Sequence, residues 1–183
     1  MNISLVHAML IVIGPFFEVS DFQSDSLRNQ KLLKNHVALN IPRTYTPLKT
    51  KRVKQQNILS LPFDACEGMH SNEGILVAFL TTIAFPEKDN GLTIWKLFEN
   101  AGKKDGKFVK SGYRVNNGKK VYYLIQSSFN KEFNNEWKQS YRILFASEMQ
   151  GKLLYGYLKI IPPPGTTDIS FLTEFTKSIQ VID

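Results

Sequence analysis

The sequence predicts an α+β fold: one antiparallel β-sheet of about five to seven strands, arranged as hairpins and meander and packed by helices. Three observations carry this. Asn116-Asn117-Gly118 lies between two strand-like runs, and Asn-Gly is a strong hairpin signal because both residues accept positive φ. Gln150-Gly151 stands in the same way between residues 137–145 and 152–161. Two other segments repeat their apolar residues at helical spacing instead.

The elements follow in order. Residues 1–17 (MNISLVHAMLIVIGPFF) form an apolar run too short to span a bilayer but of signal-peptide length, with Gly14-Pro15 as its end. No Lys or Arg precedes it and Glu18-Val19-Ser20 is a poor cleavage site, so a buried first element is the other reading. On the export reading, polar residues 20–35 are a linker, and residues 36–183 form a single α+β domain. Val37 to Pro42 is a short strand ended by proline. Residues 49–54, rich in Lys and Arg, read as a loop or edge strand, where charge discourages sheet-to-sheet association. Residues 59–63 read as another short strand. Residues 74–85 (GILVAFLTTIAF) are apolar and β-branched, bracketed by Gly74 and Pro86, and predict a buried central strand.

Residues 92–101 place Ile94, Leu97, Phe98 and Ala101 on one helical face, and Gly102 stops the helix. The two hairpins come next, and Pro162-Pro163-Pro164-Gly165 ends the sheet. Residues 169–179 predict a last helix with Phe171, Leu172, Phe175 and Ile179 on one side, capped by Thr167 or Asp168.

Composition narrows the class. Of 183 residues, 43% are hydrophobic and 21% charged, which excludes a disordered tail, a collagen-like repeat and a polytopic membrane protein. The net charge of +7 is unevenly spread. Residues 31–60 hold Lys31, Lys34, Arg43, Lys49, Lys51, Arg52 and Lys54 and no acid, and residues 101–160 are basic again. Such segregation builds a positive face suited to an acidic protein or, as the alternative, to a polyanion or nucleic acid bound through Lys49–Lys54 and Lys103–Lys120. Zinc-finger spacing, RNP-like aromatic motifs and an arginine-rich arm are all missing, which argues against nucleic acid. The plain alternative is a solvated basic surface that keeps the protein soluble.

The candidates for chemistry are few. Cys66 and His70 could act as nucleophile and base in a small hydrolase, but four-residue spacing joins side chains only on a helix, and Gly68 points to a loop. Asp64, Glu67 and Glu73 cluster around His70 in sequence. Zinc would need two further ligands, and His7 and His36 lie in unrelated segments. Gly102, Gly106 and Gly112 fall among lysines without the pattern of a phosphate loop. The reading is therefore no catalytic residue, no metal, no cofactor and no recognisable small-molecule substrate. Because Cys66 is the single cysteine, no intrachain disulfide forms. Tyrosines are the richer signal: Tyr113, Tyr122, Tyr123, Tyr141, Tyr155 and Tyr157 all fall on the two hairpins. Exposed among Lys and Arg they would serve protein recognition; packed beneath a helix layer they are core. The candidate binding residues are Lys49, Lys51, Arg52, Lys54, Tyr113, Tyr155 and Tyr157.

The order of elements in the second half resembles the PsbP-like superfamily: a helix, then NNGKKVYYLIQSSF, then WKQSYRILFASEMQGKLLYGYLKIIP, then a helix ending FTKSIQVID. The superfamily includes DcrB-type bacterial envelope proteins. The resemblance covers residues 36–183 and implies an α/β/α sandwich with a mostly non-enzymatic, protein-binding role. It departs from the lipoprotein members, since Cys66 lies inside the domain and is no lipobox cysteine. Together these readings predict an exported protein, periplasmic or secreted, that works on a protein partner without a transmembrane span. A cytoplasmic location is the alternative.

Overall fold

A computed structural model describes residues 27–85, 91–102, 106–131, 137–162 and 170–182. The expectations placed on residues 1–17, on Lys103 and Lys104, on the Thr167/Asp168 cap and on the end of the proline triplet lie outside these residues. The described residues form ten strands and three helices: β1 (Leu27–Leu32), β2 (Val37–Pro42), β3 (Thr46–Pro47), α1 (Thr50–Gln55), β4 (Phe63–His70), β5 (Gly74–Ala84), α2 (Leu92–Gly102), β6 (Lys107–Asn116), β7 (Lys119–Lys131), β8 (Trp137–Met149), β9 (Lys152–Ile160), α3 (Ser170–Ser178) and β10 (Gln180–Val181).

Seven strands form the main sheet in the order β3-β4-β5-β9-β8-β7-β6, and β1-β2-β10 form a separate small sheet. All pairings are antiparallel. The expectation of a single sheet of five to seven strands is corrected to ten strands in two sheets among the described residues. Both hairpin turns form as predicted, with positive φ at Asn117 and Gly118 and at Gln150 and Gly151. That left-handed geometry at both residues matches the twist of the flanking strands.

The main sheet is covered on both faces. On one side α1 and α2 pack Val53, Ile94 and Phe98 against Val77, Phe79, Leu144, Tyr155 and Tyr157. On the other, α3 and the small sheet bring Leu172, Ile179, Val37, Leu39 and Ile41 over Leu76, Ile143, Phe145, Leu154 and Leu158. The second covering layer is thus a helix plus a sheet, where the α/β/α sandwich expects a helix layer alone. Two-sided burial explains the long apolar run of β9, KLLYGYLKI, which has no inside–outside alternation because neither face meets water. It also places Tyr122 and Tyr123 in the two separate cores.

Four local expectations are revised. Leu27–Leu32, within the supposed linker, is β1. The basic run at 49–54 is a helix: Val53 alone gives it a buried contact, and its Lys, Arg and Gln are good helix formers. Residues 59–62 are irregular, and the strand expected there begins at Phe63. Residues 66–70 extend along β4 and are not a loop, because pairing to β5 supplies their hydrogen bonds. After α3 the chain adds β10, whose Val181 pairs with Val37. Among the described residues no helix is long and apolar enough to cross a membrane.

Candidate functional site

Helix α1 gathers four of the seven candidate binding residues. Lys49 is its N-cap residue, and Lys51, Arg52 and Lys54 stand along it. Arg52 and Lys54 occupy its last turn, where cations complement the exposed carbonyls. All four side chains are exposed, and no carboxylate among the described residues forms an ion pair with any of them. This helix is too short to be stable alone and is held by what lies below it.

The seat is built from β4 and β9. Val53 faces Gly68 so closely that a Cβ at Gly68 would lie 3.1 Å from Val53 Cγ2 and 2.9 Å from the Leu76 carbonyl oxygen. The Leu48 N–H donates to the Gly68 carbonyl at 2.8 Å. Just beyond the helix, Gln56 Oε1 accepts a hydrogen bond from the Tyr157 hydroxyl at 2.7 Å, and Asn57 Oδ1 accepts one from Tyr155. Tyr155 and Tyr157 are 1% and 3% exposed. The reading that offers them as surface recognition groups is corrected: they sit in the core and hold α1 from beneath. Burial raises both pKa values, that of Tyr157 up to about 12 against the opposing charge of Arg142.

Beside α1 open two adjoining shallow clefts. One, of about 280 Å³, is lined by Pro47, Leu48, Lys49, Arg52 and His70. The next, about 390 Å³, shares Leu48, Arg52 and His70 and reaches Gln55 and Ser71. Arg52 and His70 are therefore common to both, and the rim is cationic. Sequence reasoning selected Arg52 but gave His70 a different role, as the base of a dyad.

That dyad does not form. Cys66 and His70 share a face of β4, yet four residues of extended strand separate them by roughly 13 Å. Burial pushes the Cys66 thiol pKa up, opposed by the charge of Lys54, which is contrary to what a reactive thiolate needs. Cys66 is accordingly expected to alkylate more slowly than free cysteine at neutral pH, its rate still rising above the usual thiol value of 9.0. Rates of iodoacetamide labelling against pH check this, and a fast reaction at neutral pH would contradict it. The acidic cluster is also dispersed. Asp64 pairs with Lys152 at 2.5 Å, and Glu67 accepts from the Leu33 backbone N–H at 2.6 Å on the opposite face of β4 from His70. Among the described residues no group of three or more His, Cys, Asp or Glu side chains is placed to hold a metal ion.

Tyr113 stands apart from this assembly, on β6 at the far edge of the sheet. Five strand spacings, roughly 24 Å, separate β6 from the β4 strand beneath α1.

No protein-family model matches the chain, and a search of curated proteins finds no match. Among solved structures, the solution structure of cyanobacterial PsbP (CyanoP) from Synechocystis sp. PCC 6803 matches with a TM-score of 0.51 at 15% sequence identity, covering 92% of this chain and 100% of that one. The fold is PsbP-like. At that identity the likeness fixes the path of the chain and leaves the α1 surface to be read from its own residues. The PsbP-like sheet carries the cationic α1 face and its clefts at one end and the β6 edge at the other.

Proposed function

We propose that this is a non-catalytic binding protein, exported to the periplasm or beyond, that recognises an acidic surface of a protein partner through α1. The observation that carries the reading is the set of four exposed cations, Lys49, Lys51, Arg52 and Lys54, at the cap and along one short helix, in ion pairs with no described carboxylate and beside a cleft rimmed by Arg52 and His70. The core supports it by fixing the helix through Tyr155, Tyr157 and Gly68, so the cations are presented without a large ordering cost. The separation of Cys66 from His70 and the dispersal of the acids favour binding over hydrolysis. Export rests on the apolar run at residues 1–17 and is tested by intact mass and cell fraction: loss of about twenty residues is expected for a segment of signal-peptide length. A full-length cytoplasmic product would refute export and leave the α1 surface to be tested separately.

Retention of the wild type on immobilised poly-glutamate is expected, eluting at moderate salt as surface electrostatics are screened. The variant Lys51→Glu/Lys54→Glu is expected to lose at least about tenfold in affinity, since each reversal replaces attraction by repulsion. Retention on heparin with a steep salt slope, and none on poly-glutamate, would move the reading to a polyanion site governed by counterion release. Equal retention of wild type and variant on poly-glutamate would refute α1 as the site.

A further inference from the structure

The two ends of the main sheet are treated differently. At one end β3 is two residues long and includes Pro47, the usual way a protein blunts a sheet edge. At the other, β6 runs ten residues and, among the described residues, pairs only with β7. A bulge between Phe108 and Lys110 interrupts its first part, which leaves Lys110 to Asn116 as a regular edge.

Which backbone groups face outward follows from the turn. A two-residue Asn117-Gly118 turn makes Asn116 and Lys119 the hydrogen-bonded closing pair, and hydrogen-bonded pairs then alternate along the hairpin. Arg114, Gly112 and Lys110 therefore direct their N–H and C=O groups to β7. Ser111, Tyr113 and Val115 direct theirs away from the sheet. These same residues lie on the α2 face, where Tyr113 is 57% and Val115 60% exposed. Tyr113 is held in place by the Tyr122 ring at 5.9 Å and by Lys120 Nζ at 5.4 Å.

The opposite face of the edge carries Lys110 and Arg114. Neither forms an ion pair with a described carboxylate, and Arg114, set over the Tyr123 ring, has a buried Nε without a hydrogen-bond partner. A strand added here would meet cations on one face and apolar groups on the other. We propose that β6 is a docking edge for an extended segment of another protein that alternates acidic and apolar residues, added antiparallel or parallel as an eighth strand. A second copy of the chain fits less well: a two-fold pairing centred on Gly112 would set Lys110 against Arg114 of the other copy, like charge against like. The edge is distinct from α1 and does not depend on the role given to that helix.

The test uses the full chain and a fluorescent peptide of about eight residues alternating Val and Glu, followed by anisotropy. Binding is expected, weakened at least about tenfold by Lys110→Glu and by Ser111→Pro, which removes one outward N–H. The same comparisons are made in the Lys51→Glu/Lys54→Glu background, where any binding of the acidic peptide to α1 is suppressed and the effects of Lys110→Glu and Ser111→Pro are expected to persist, so failure here and failure of the α1 reading are separable. A peptide N-methylated on alternate amides keeps its charge and is expected not to bind, and this arm stands even if Ser111→Pro fails to fold. No binding, equal binding of a Val/Lys peptide, or binding that survives methylation would overturn the proposal. So would a dimer in sedimentation that Ser111→Pro dissolves, since the edge would then be occupied by a second copy.

Discussion

Gly156→Val is expected to remove a large part of the protein's stability. Gly156 lies mid-strand in β9, between Ala78 on β5 and Phe145 on β8. A Cβ there would overlap the Val77 carbonyl oxygen and come within 2.5 Å of the Phe145 ring. Phe145 is fully buried and fills the space above the glycine, so one large and two small residues share a single volume across three strands. The conflict with a ring can relax by rotation at a cost of about 1–3 kcal/mol, but a backbone oxygen in a central strand has nowhere to go. The expected loss is about 3–5 kcal/mol, against a total of about 5–15 for a typical domain. Urea unfolding of the variant measures it. Phe145→Leu in the same chain is expected to recover only part of the loss, because it relieves the ring and leaves the carbonyl. A Gly156→Val protein within about 1 kcal/mol of wild type would show that the strand can shift as a unit.

The second large effect is alkaline. Tyr45, Tyr155 and Tyr157 are buried, and burial raises the pKa of each above the ordinary 10.0, in Tyr157 up to about 12. The folded state therefore holds these protons longer than the unfolded chain does. Their contribution is complete below pH 10 and is lost as pH climbs toward the folded-state values. Each such group gives a slope of about −1.4 kcal/mol per pH unit in that window, so three together approach −4. Cooperative unfolding about one to two units above pH 10 is expected, with tyrosinate absorbance and loss of sheet circular dichroism rising in one step. Tyr45→Phe removes one of the three groups while keeping the ring, and its alkaline midpoint is expected to move up. Ionisation of all three with the sheet signal intact would contradict the burial account.

These effects come from parts of the chain with unequal sequence signals. The paired turns at Asn117-Gly118 and Gln150-Gly151 were legible because positive φ restricts residue choice, and β5 because its apolar run is long and bracketed. Helix α2 shows its stripe, with Ile94 and Phe98 buried as the spacing requires. Helix α1 shows none: one buried valine in TKRVKQ cannot make a period, and only the glycine on β4 reveals that something packs there. β4 itself (FDACEGMH) has weak strand propensity and is a strand through its pairing to β5. The β1–β2 turn places Leu33, Lys34 and Asn35 at positive φ without a glycine, and the Glu67 carboxylate accepting from Leu33 helps hold it. No local pattern announces a contact between residues so far apart.

For the site, the four cations were visible as a charge run, while their arrangement was not. The tyrosines were correctly grouped and wrongly faced: Tyr155 and Tyr157 do share a side of β9, but a helix covers that side. Alternation tells which residues share a face and says nothing about what lies over it. Gln56 and Asn57, which receive the two hydroxyls, carry no signal of their own.

The small sheet has a consequence for how the protein is made. β2 takes β1 on one flank and β10 on the other, and Ile182 and His36 exchange hydrogen bonds through the Ile182 N–H and carbonyl. During synthesis the first hairpin emerges early, with Val37 and Ile41 on its inner side and their partners unmade. Val181 must leave the ribosome before that layer closes over the main sheet. Closing that layer over the main sheet brings Val181 to Val37, a pairing between segments distant in sequence, which is a slow kind of closure.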